Sequence, residues 1–269
     1  LLMRENLIEV RNLRFAYRDK PVLNGISFDV ATGDTLSILG ANGSGKSTLL
    51  RIMLGFLKFE GEVLIAGKSV RDYGKKGLAS LVAYVPQTHA PSYDYSVFDV
   101  VLMGALCRTP LFSSFSAADK RRAEQALEKM GIAHLKNAPY TKVSGGERQL
   151  AYIARTLVQG AKVVFMDEPT NGLDFGNQIK LLEMIKALGD EGYTFVQTTH
   201  YPRHAKFVST LTLFLTDGEI LAFGRSEQLI NAENIDKIYG INYEKYGCDI
   251  DIIHISPMEF QGDKIFPGK

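Results

Sequence analysis

A short apolar run leads directly into a glycine-rich loop near residue 40, and this junction constrains the fold more than any other feature. Thr35–Leu39 has the composition of a buried strand, residues 40–47 fit the pattern G-x-x-x-x-G-K-[ST], and apolar residues recur at helical spacing from Leu49. A strand, a glycine loop and a helix in this order open a βα unit of a parallel sheet. Glycines let backbone N–H groups approach phosphate oxygens closely, and the free N–H groups of the helix start add to them. The sequence therefore predicts a nucleotide phosphate site.

The loop also supplies side chains suited to a nucleotide and to a magnesium ion. Lys46 is expected to place its ammonium between the β- and γ-phosphates, and Ser47 offers its hydroxyl to Mg²⁺. The predicted nucleotide-binding residues of this segment are Gly40, Asn42, Gly43, Ser44, Gly45, Lys46, Ser47 and Thr48. The alternative is a glycine-rich turn that caps an ordinary helix, and the preceding strand and following helix argue against it.

A second apolar run, residues 162–166, ends in the carboxylates Asp167 and Glu168. Strands of a parallel sheet are covered on both faces and so read as unbroken apolar runs, and ligands bind beyond their carboxyl ends. We therefore expect Asp167 to hold Mg²⁺, directly or through water, and Glu168 to accept a proton from an attacking water. The alternative for this pair is an acidic turn after a core strand.

Composition argues against several classes of protein. The 269 residues include 31 Lys and Arg against 30 Asp and Glu, so a nucleic-acid partner that needs a broad basic surface is not expected. Cys107 and Cys248 form no CxxC pair and no metal-ligand cluster. No apolar stretch approaches the ~20 residues of a membrane-spanning helix. We expect a soluble, cytoplasmic protein whose contact with a membrane comes through a partner.

Apolar periodicity and turn residues predict an α/β fold. Alternation within the first 30 residues indicates an antiparallel sheet. Five further segments read as buried strands of a mostly parallel sheet: residues 35–39, 81–85, 162–166, 194–198 and 211–215. The predicted helices are residues 97–105, 117–130, 147–158 and 177–188.

These elements predict one domain, residues 1–269, with three parts. Residues 1–87 and 160–225 form the nucleotide-binding core with its antiparallel β subdomain, and residues 88–159 form a helical insertion. Residues 226–269 form a C-terminal extension. The extension is predicted to begin with a helix from Asn231 to Tyr239, closed by Gly240, and to contain a terminal strand at residues 249–252.

A third motif carries a family resemblance, because Val143-Ser144-Gly145-Gly146-Glu147-Arg148-Gln149 resembles the signature motif of the ABC ATPases. The resemblance extends over almost the whole chain. Tyr17 resembles the aromatic residue that stacks on adenine, Gln87 the Q-loop glutamine, Asp174 the D-loop aspartate and His200 the switch histidine. It implies a P-loop (RecA-like) core with a mostly parallel sheet, an N-terminal antiparallel β subdomain and an inserted helical subdomain.

The resemblance also implies a role for each matched residue. The catalytic residues would be Glu168, His200, Gln87 and Lys46, and the magnesium ligands would be Ser47, Gln87 and Asp167. Two chains would meet head to tail around two ATP molecules, with Ser144, Gly145, Gly146 and Asp174 of one chain closing the other chain's site. Without the family resemblance, each of these three residues has another interpretation. Tyr17 is then an aromatic residue that packs on the sheet, Gln87 a residue that bonds to loop backbone, and His200 a structural residue of a turn.

The segment after Gln87 indicates which kind of ABC protein this is. Residues 95–104 resemble the ATPases of importers for iron chelates, haem, cobalamin and molybdate or tungstate. The resemblance implies a homodimer on the inner face of the cell membrane, a permease docked near residues 87–98 and, indirectly, a substrate-binding protein. Tyr93, Tyr95 and Phe98 are expected to be exposed at that surface, since aromatic residues anchor interfaces. The alternative for these three residues is that they only cap the helical insertion. The alternative is a non-transport ABC ATPase that acts as a nucleotide-dependent switch on DNA or ribosomes.

Overall fold

The computed structural model describes residues 5–87, 95–110 and 113–240. Within them, four strands form an antiparallel sheet in the order β2-β1-β4-β5. These strands are β1 (Asn6–Tyr17), β2 (Lys20–Ala31), β4 (Glu60–Ile65) and β5 (Lys68–Ser69). Val10 pairs with Phe28 on one side and with Val63 on the other, and all three side chains are buried. The alternation in the sequence thus gives this sheet one core face.

The second sheet has six strands in the order β10-β9-β3-β8-β7-β6. They are β3 (Thr35–Leu39), β6 (Val82–Val85), β7 (Val163–Asp167), β8 (Thr194–Thr199), β9 (Leu211–Thr216) and β10 (Glu219–Arg225). All neighbours are parallel except β9 and β10, which form an antiparallel edge. Because β3, β8 and β7 are adjacent, the residues that follow them meet at one edge of the sheet.

Nine α-helices lie in the described part of the chain. They are α1 (Lys46–Met53), α2 (Lys75–Leu81), α3 (Val97–Leu102), α4 (Ala117–Lys129), α5 (Gly145–Gln159), α6 (Phe175–Asp190), α7 (Pro202–Val208), α8 (Ser226–Leu229) and α9 (Ala232–Tyr239). Helices α3, α4 and α5 pack on one another around a shared apolar cluster. None of the helices in the described ranges combines the length and the apolar composition that a bilayer crossing requires.

The predicted α/β class, with one antiparallel and one mostly parallel sheet, is confirmed. The predicted helix at residues 97–105 is partly wrong, since α3 ends at Leu102 and Met103–Cys107 is a 3₁₀ helix. Helices α2 and α7 and strand β10 were not predicted. The predicted strand at residues 249–252 lies outside the described residues, and the division into subdomains stays a prediction.

Helix α9 confirms the prediction for the start of the C-terminal extension. The side chain of Asn231 caps its N-terminus, and Gly240 ends it in the left-handed conformation with φ 64°. Ile235 and Ile238 are buried in a cluster whose other members are Leu39, Ala205, Phe214 and Ile230. The helix is therefore packed between the end of β3, strand β9 and helix α7.

Candidate active site

The glycine loop between β3 and α1 turns at position 45, which only glycine can occupy without strain. Gly45 has φ 105°, and a Cβ atom there would lie 2.8 Å from Cδ2 of Leu23. Gly45 is also the N-cap of α1, and no side chain caps this helix end. Free backbone N–H groups at the start of α1 therefore face the loop, an arrangement suited to phosphate oxygens.

The ammonium group of Lys46 is held inside the loop rather than in solvent. Its Nζ donates hydrogen bonds to the carbonyl oxygens of Gly40, at 2.8 Å, and Ala41, at 2.9 Å. Burial lowers the pKa of Lys46, while the nearby carboxylates of Glu168 and Asp167 oppose that shift. A buried cation of this kind is stabilised by any anion that enters the loop.

The ends of β7 and β8, beside the glycine loop, are joined by a hydrogen bond between Asp167 and Thr198. Oδ1 of Asp167 accepts a hydrogen bond from Oγ of Ser47 at 3.1 Å and from Oγ1 of Thr198 at 2.6 Å. Oγ1 of Thr198 in turn accepts from the backbone N–H of Glu168 at 2.9 Å. Asp167 is only 5% exposed, so its carboxylate is fixed against the first turn of α1.

Glu168 has the left-handed backbone conformation, with φ 45°, which is uncommon outside glycine and recurs at functional sites. Its Oε2 accepts hydrogen bonds from Nε2 of Gln87 at 2.9 Å and from Nδ2 of Asn171 at 3.3 Å. Its Oε1 lies 3.5 Å from Nδ1 of His200. The three side chains hold this carboxylate at the mouth of the loop.

These groups surround one cavity of about 810 Å³. The predicted residues that line it are Gly40, Asn42, Gly43, Gly45, Lys46, Ser47, Thr48, Gln87, Glu168 and His200. Four lining residues were not predicted: Val22, Ala41, Asn171 and Tyr239. Asn171 follows Glu168 by three residues and could have been found from that spacing. No signal in the sequence joins Tyr239, on α9, to the glycine loop.

Three residues predicted for the nucleotide or magnesium site do not line the cavity: Ser44, Asp167 and Tyr17. The hydroxyl of Ser44 is buried and has no hydrogen-bond partner among the described residues. Asp167 is buried and bonded to Ser47. Tyr17 is 44% exposed, and its ring stands edge-on to Phe15 with the centroids 4.7 Å apart. The contact of Tyr17 with adenine stays a prediction.

The signature residues form a second cluster that does not line this cavity, and within it Ser144 and Gly145 are exposed. Ser144 caps α5 in a capping box with Glu147, in which the Ser144 N–H donates to Oε2 of Glu147 at 2.7 Å. That bond lowers the pKa of Glu147. A Cβ atom at Gly146 would lie 2.7 Å from Cγ of Asn177, so the α6 side chain packs directly on the helix start.

The same Asn177 joins the cluster to the predicted D-loop aspartate. Asp174 caps α6 by accepting from the backbone N–H of Asn177 at 3.0 Å and from its Nδ2 at 2.6 Å. These bonds lower the pKa of Asp174. The predicted signature and D-loop residues thus share one surface of the chain, away from the cavity that contains Lys46.

A row of three side-chain rings in tilted contact extends from the cavity along α7. The rings of His200 and Tyr201 have centroids 4.0 Å apart, and those of Tyr201 and His204 are 4.7 Å apart. Nδ1 of His204 lies 3.1 Å from Oγ1 of Thr170, in the segment after Glu168. Burial, with a smaller contribution from His200, lowers the pKa of His204 to about 4.

The model for the ABC transporter family matches residues 23–171, more than half of the chain. The chain belongs to the ABC transporter family. As an ABC ATPase it binds ATP, and the predicted P-loop fold is confirmed.

Relatives and solved structures agree with this family. An uncharacterised ABC transporter ATP-binding protein of Haemophilus influenzae is 38% identical over 87% of this chain and 89% of its own length. A manganese transport system ATP-binding protein of Bacillus subtilis is 35% identical over 87% of this chain and 92% of its own length. A solved metal-chelate type ABC transporter in an inward-facing conformation aligns with a TM-score of 0.79, at 32% identity, over 88% of this chain and 89% of that chain.

The oxygen atoms beside the P-loop of this ABC ATPase fit a magnesium ion. Ser47 Oγ and Asp167 Oδ1 lie 3.1 Å apart, and Gln87 adds an amide group on the cavity wall. Mg²⁺ prefers oxygen ligands and is usually held by one or two carboxylates together with substrate phosphates and water. Among the described residues no cluster of three or more His, Cys, Asp or Glu could hold a metal ion by itself.

The expectation of exposed aromatic residues after Gln87 is partly wrong. Phe98 packs against the apolar cluster of α3, α4 and α5, and Nζ of Lys136 lies 4.9 Å from the centre of its ring. Phe98 is therefore half-buried, because its position on α3 turns it toward the other helices. Tyr95 is 45% exposed, as expected. Tyr93 lies outside the described residues.

A groove of about 840 Å³ lies between the parallel sheet and the helical part of the chain. Pro86, directly before Gln87, lines it, as do Tyr84 on β6 and Tyr152 on α5. Phe56, 63% exposed, and Leu106, 55% exposed, stand at its surface. Through Pro86 this groove borders Gln87 of the Q-loop, and many of the residues that line it are apolar.

Proposed function

We propose that this ABC ATPase hydrolyses ATP to power a membrane importer of a metal ion or a metal chelate. The observation that carries the proposal is the cavity in which Lys46, Ser47 and Glu168 meet Gln87 and His200. It combines a buried cation and free N–H groups for phosphates with a carboxylate that can accept a proton. These are the parts that phosphoryl transfer to water requires.

In the proposed reaction Glu168 is the general base. Because Oε2 already accepts from Gln87 and Asn171, Oε1 is the oxygen available to a water molecule, and it faces His200. The ammonium of Lys46 and the N–H groups at the start of α1 bind the phosphates. Ser47, Asp167 and Gln87 would hold Mg²⁺, which would supply charge neutralisation at the phosphates. His200 and Gln87 orient the groups around the γ-phosphate.

The proposed active form is a homodimer. The signature residues Ser144 and Gly145 are exposed and do not line the cavity of their own chain. The start of α5 has its own N–H groups and a positive dipole end, which suit a phosphate. A second copy placed head to tail would bring these residues, with Gly146 and Asp174, to the open side of the first copy's nucleotide.

The proposed permease site is the groove that borders Gln87. Its apolar walls suit a short helix of a membrane subunit, since apolar side chains buried in a groove anchor such complexes. Because Pro86 lines the groove and Gln87 lines the cavity, the two sites are joined by adjacent residues. The chain would then be peripheral to the inner face of the membrane. A substrate-binding protein would act on the permease and not on this chain.

The substrate class rests on the similar proteins. One is named for manganese transport and another is a metal-chelate type transporter, so both a free ion and a chelate are represented. The ATPase subunit does not touch the cargo in the proposed assembly, and the choice between them lies with the permease and the binding protein.

Co-purification with the permease from membranes tests this proposal. Phe56→Ser with Leu106→Ser should reduce recovery of the permease at least tenfold, because each exposed apolar anchor is worth more than ~1 kcal/mol. ATP hydrolysis by the purified chain should be unchanged. Leu221→Ser, at a 40% exposed leucine on β10, is the matched control and should retain the permease. Unchanged recovery for the double variant would contradict the groove as the permease site. Hydrolysis stimulated by DNA or ribosomes, with no permease bound, would contradict the importer function.

A further inference from the structure

The C-terminal helix α9 reaches the nucleotide cavity although it lies far from the ABC motifs in the sequence. Ile235 and Ile238 anchor it against Leu39, the last residue before the glycine loop, and against Ala205 of α7. Tyr239, the last residue of α9, is half-buried and lines the same cavity as Lys46 and Glu168. The position of this side chain is therefore set by packing on the end of β3, before the glycine loop, and on helix α7, after His200.

The hydroxyl of Tyr239 is bonded to the backbone of the switch histidine. It donates a hydrogen bond to the carbonyl oxygen of His200 at 3.2 Å. Burial, with a smaller effect of the Glu168 carboxylate, raises the pKa of Tyr239 to about 12. The phenol accordingly stays protonated at neutral pH and remains a donor.

This bond restrains the backbone of His200 directly after the end of β8. His200 follows the last residue of β8, and its ring lies against Tyr201, itself 37% exposed. Its Nδ1 is 3.5 Å from Oε1 of Glu168, longer than the usual 2.7–3.2 Å of a hydrogen bond. A small shift of the His200 backbone would therefore decide whether the ring can bond to Glu168 or to a phosphate.

We propose that Tyr239 is a positioning residue for ATP hydrolysis, which holds the His200 backbone so that the imidazole faces Glu168 and the γ-phosphate. The inference rests on the proposed hydrolysis at this site and assigns a function to the C-terminal extension. Tyr239 acts through His200, so its loss should slow the chemical step and leave nucleotide binding nearly intact.

Tyr239→Phe tests this with the smallest possible change, since it keeps the ring and its packing and removes only the hydroxyl. We expect kcat for ATP to fall about 3- to 10-fold, the range for one net hydrogen bond, and KM for ATP to change less than about twofold. Tyr73→Phe is the matched control, because the hydroxyl of Tyr73 also donates to a backbone carbonyl, that of Ile65, at 2.7 Å. It should leave both constants unchanged.

A double-mutant cycle separates positioning of His200 from a general structural effect. In single-turnover assays, Tyr239→Phe should have no further effect in a His200→Ala background, because the side chain that it positions is gone. A wild-type kcat in Tyr239→Phe would overturn the inference. An equal loss in both backgrounds would overturn it as well, since Tyr239 would then act independently of His200. If the wild-type chain hydrolyses no ATP, the proposed function fails, and this inference fails with it.

Discussion

Replacing Glu168 by glutamine removes one negative charge and the capacity to accept a proton, while the length and shape of the side chain are kept. The native carboxylate accepts from Gln87 at 2.9 Å and from Asn171 at 3.3 Å through one oxygen. The carbonyl oxygen of a glutamine can accept both bonds. The backbone at φ 45° is equally strained for either residue. Folding should therefore change little.

The effect on hydrolysis should be much larger than the effect on folding. Removal of a general base typically costs ~10²–10⁴-fold in rate. This corresponds to about 3–5.5 kcal/mol in activation free energy. ATP affinity should stay within about threefold, because Lys46 keeps its bonds to Gly40 and Ala41 and Ser47 keeps its contact with Asp167.

The assay is phosphate release by the purified chain with ATP and Mg²⁺, together with nucleotide affinity from a fluorescent analogue. Size-exclusion chromatography with ATP should show a stable dimer of the variant, since hydrolysis no longer opens it. Glu183→Gln, at an exposed position on α6, is the matched control and should hydrolyse ATP at the wild-type rate.

Two results would refute the role given to Glu168. A variant that retains more than about a tenth of the wild-type rate would show that another group accepts the proton. A variant that also loses ATP affinity by more than tenfold would show that the carboxylate acts in binding or folding, and the general-base argument would no longer hold.

Two further predictions concern the dimer and the pH dependence of stability. Lys46→Ala and Ser144→Arg chains should each be inactive alone, and a mixture of the two should recover part of the ATPase activity. The reason is that a mixed dimer contains one site with neither change. If verified mixed dimers recover no activity, the signature residues of one chain do not act on the nucleotide of the other. Burial lowers the pKa of His204 from the ordinary 6.5 to about 4, so its contribution to stability is fully present above pH 6.5 and is lost as the pH falls toward 4. Urea denaturation gives the free energy of unfolding at pH 7.5 and at pH 5. His204→Gln should reduce the difference between these two values by about 1–2 kcal/mol. An unchanged difference would show that His204 does not cause the loss of stability at low pH.

The parts of the fold that sequence predicted well are those set by local chemistry. The glycine loop, the strand ending at Asp167 and the helix from Asn231 each carry their own turn, cap or periodicity. Helix α7 was missed because Pro202 reads as a helix breaker, yet it stands at the first helical position, where its missing N–H is not needed. Strand β10 was missed although its alternate residues are partly buried, because an edge strand has a weak apolar pattern.

The parts of the site that sequence could not give depend on contacts between distant segments. Thr198 reads as a polar residue in a strand, and only the β7–β8 pairing brings it to Asp167. Phe98 appeared to be an interface aromatic, and only the packing of α3 on its neighbours turns it inward. Tyr239 joins the cavity only through the packing of α9 on Leu39, Ala205 and Phe214.

The contacts of Glu168 offer one point at which both the proposed permease groove and the C-terminal helix can act on hydrolysis. One carboxylate oxygen is already bonded to Gln87 and Asn171, so only the oxygen near His200 can accept a proton from water. The contacts of this carboxylate therefore involve Gln87 of the Q-loop on one side and His200, which follows β8, on the other. The Q-loop borders the groove proposed for the permease, and α9 holds the switch segment through Tyr239. A shift at either place would change the hydrogen bonds of the same carboxylate, so transport and hydrolysis can be coupled at a single residue without any long-range rearrangement of the sheet.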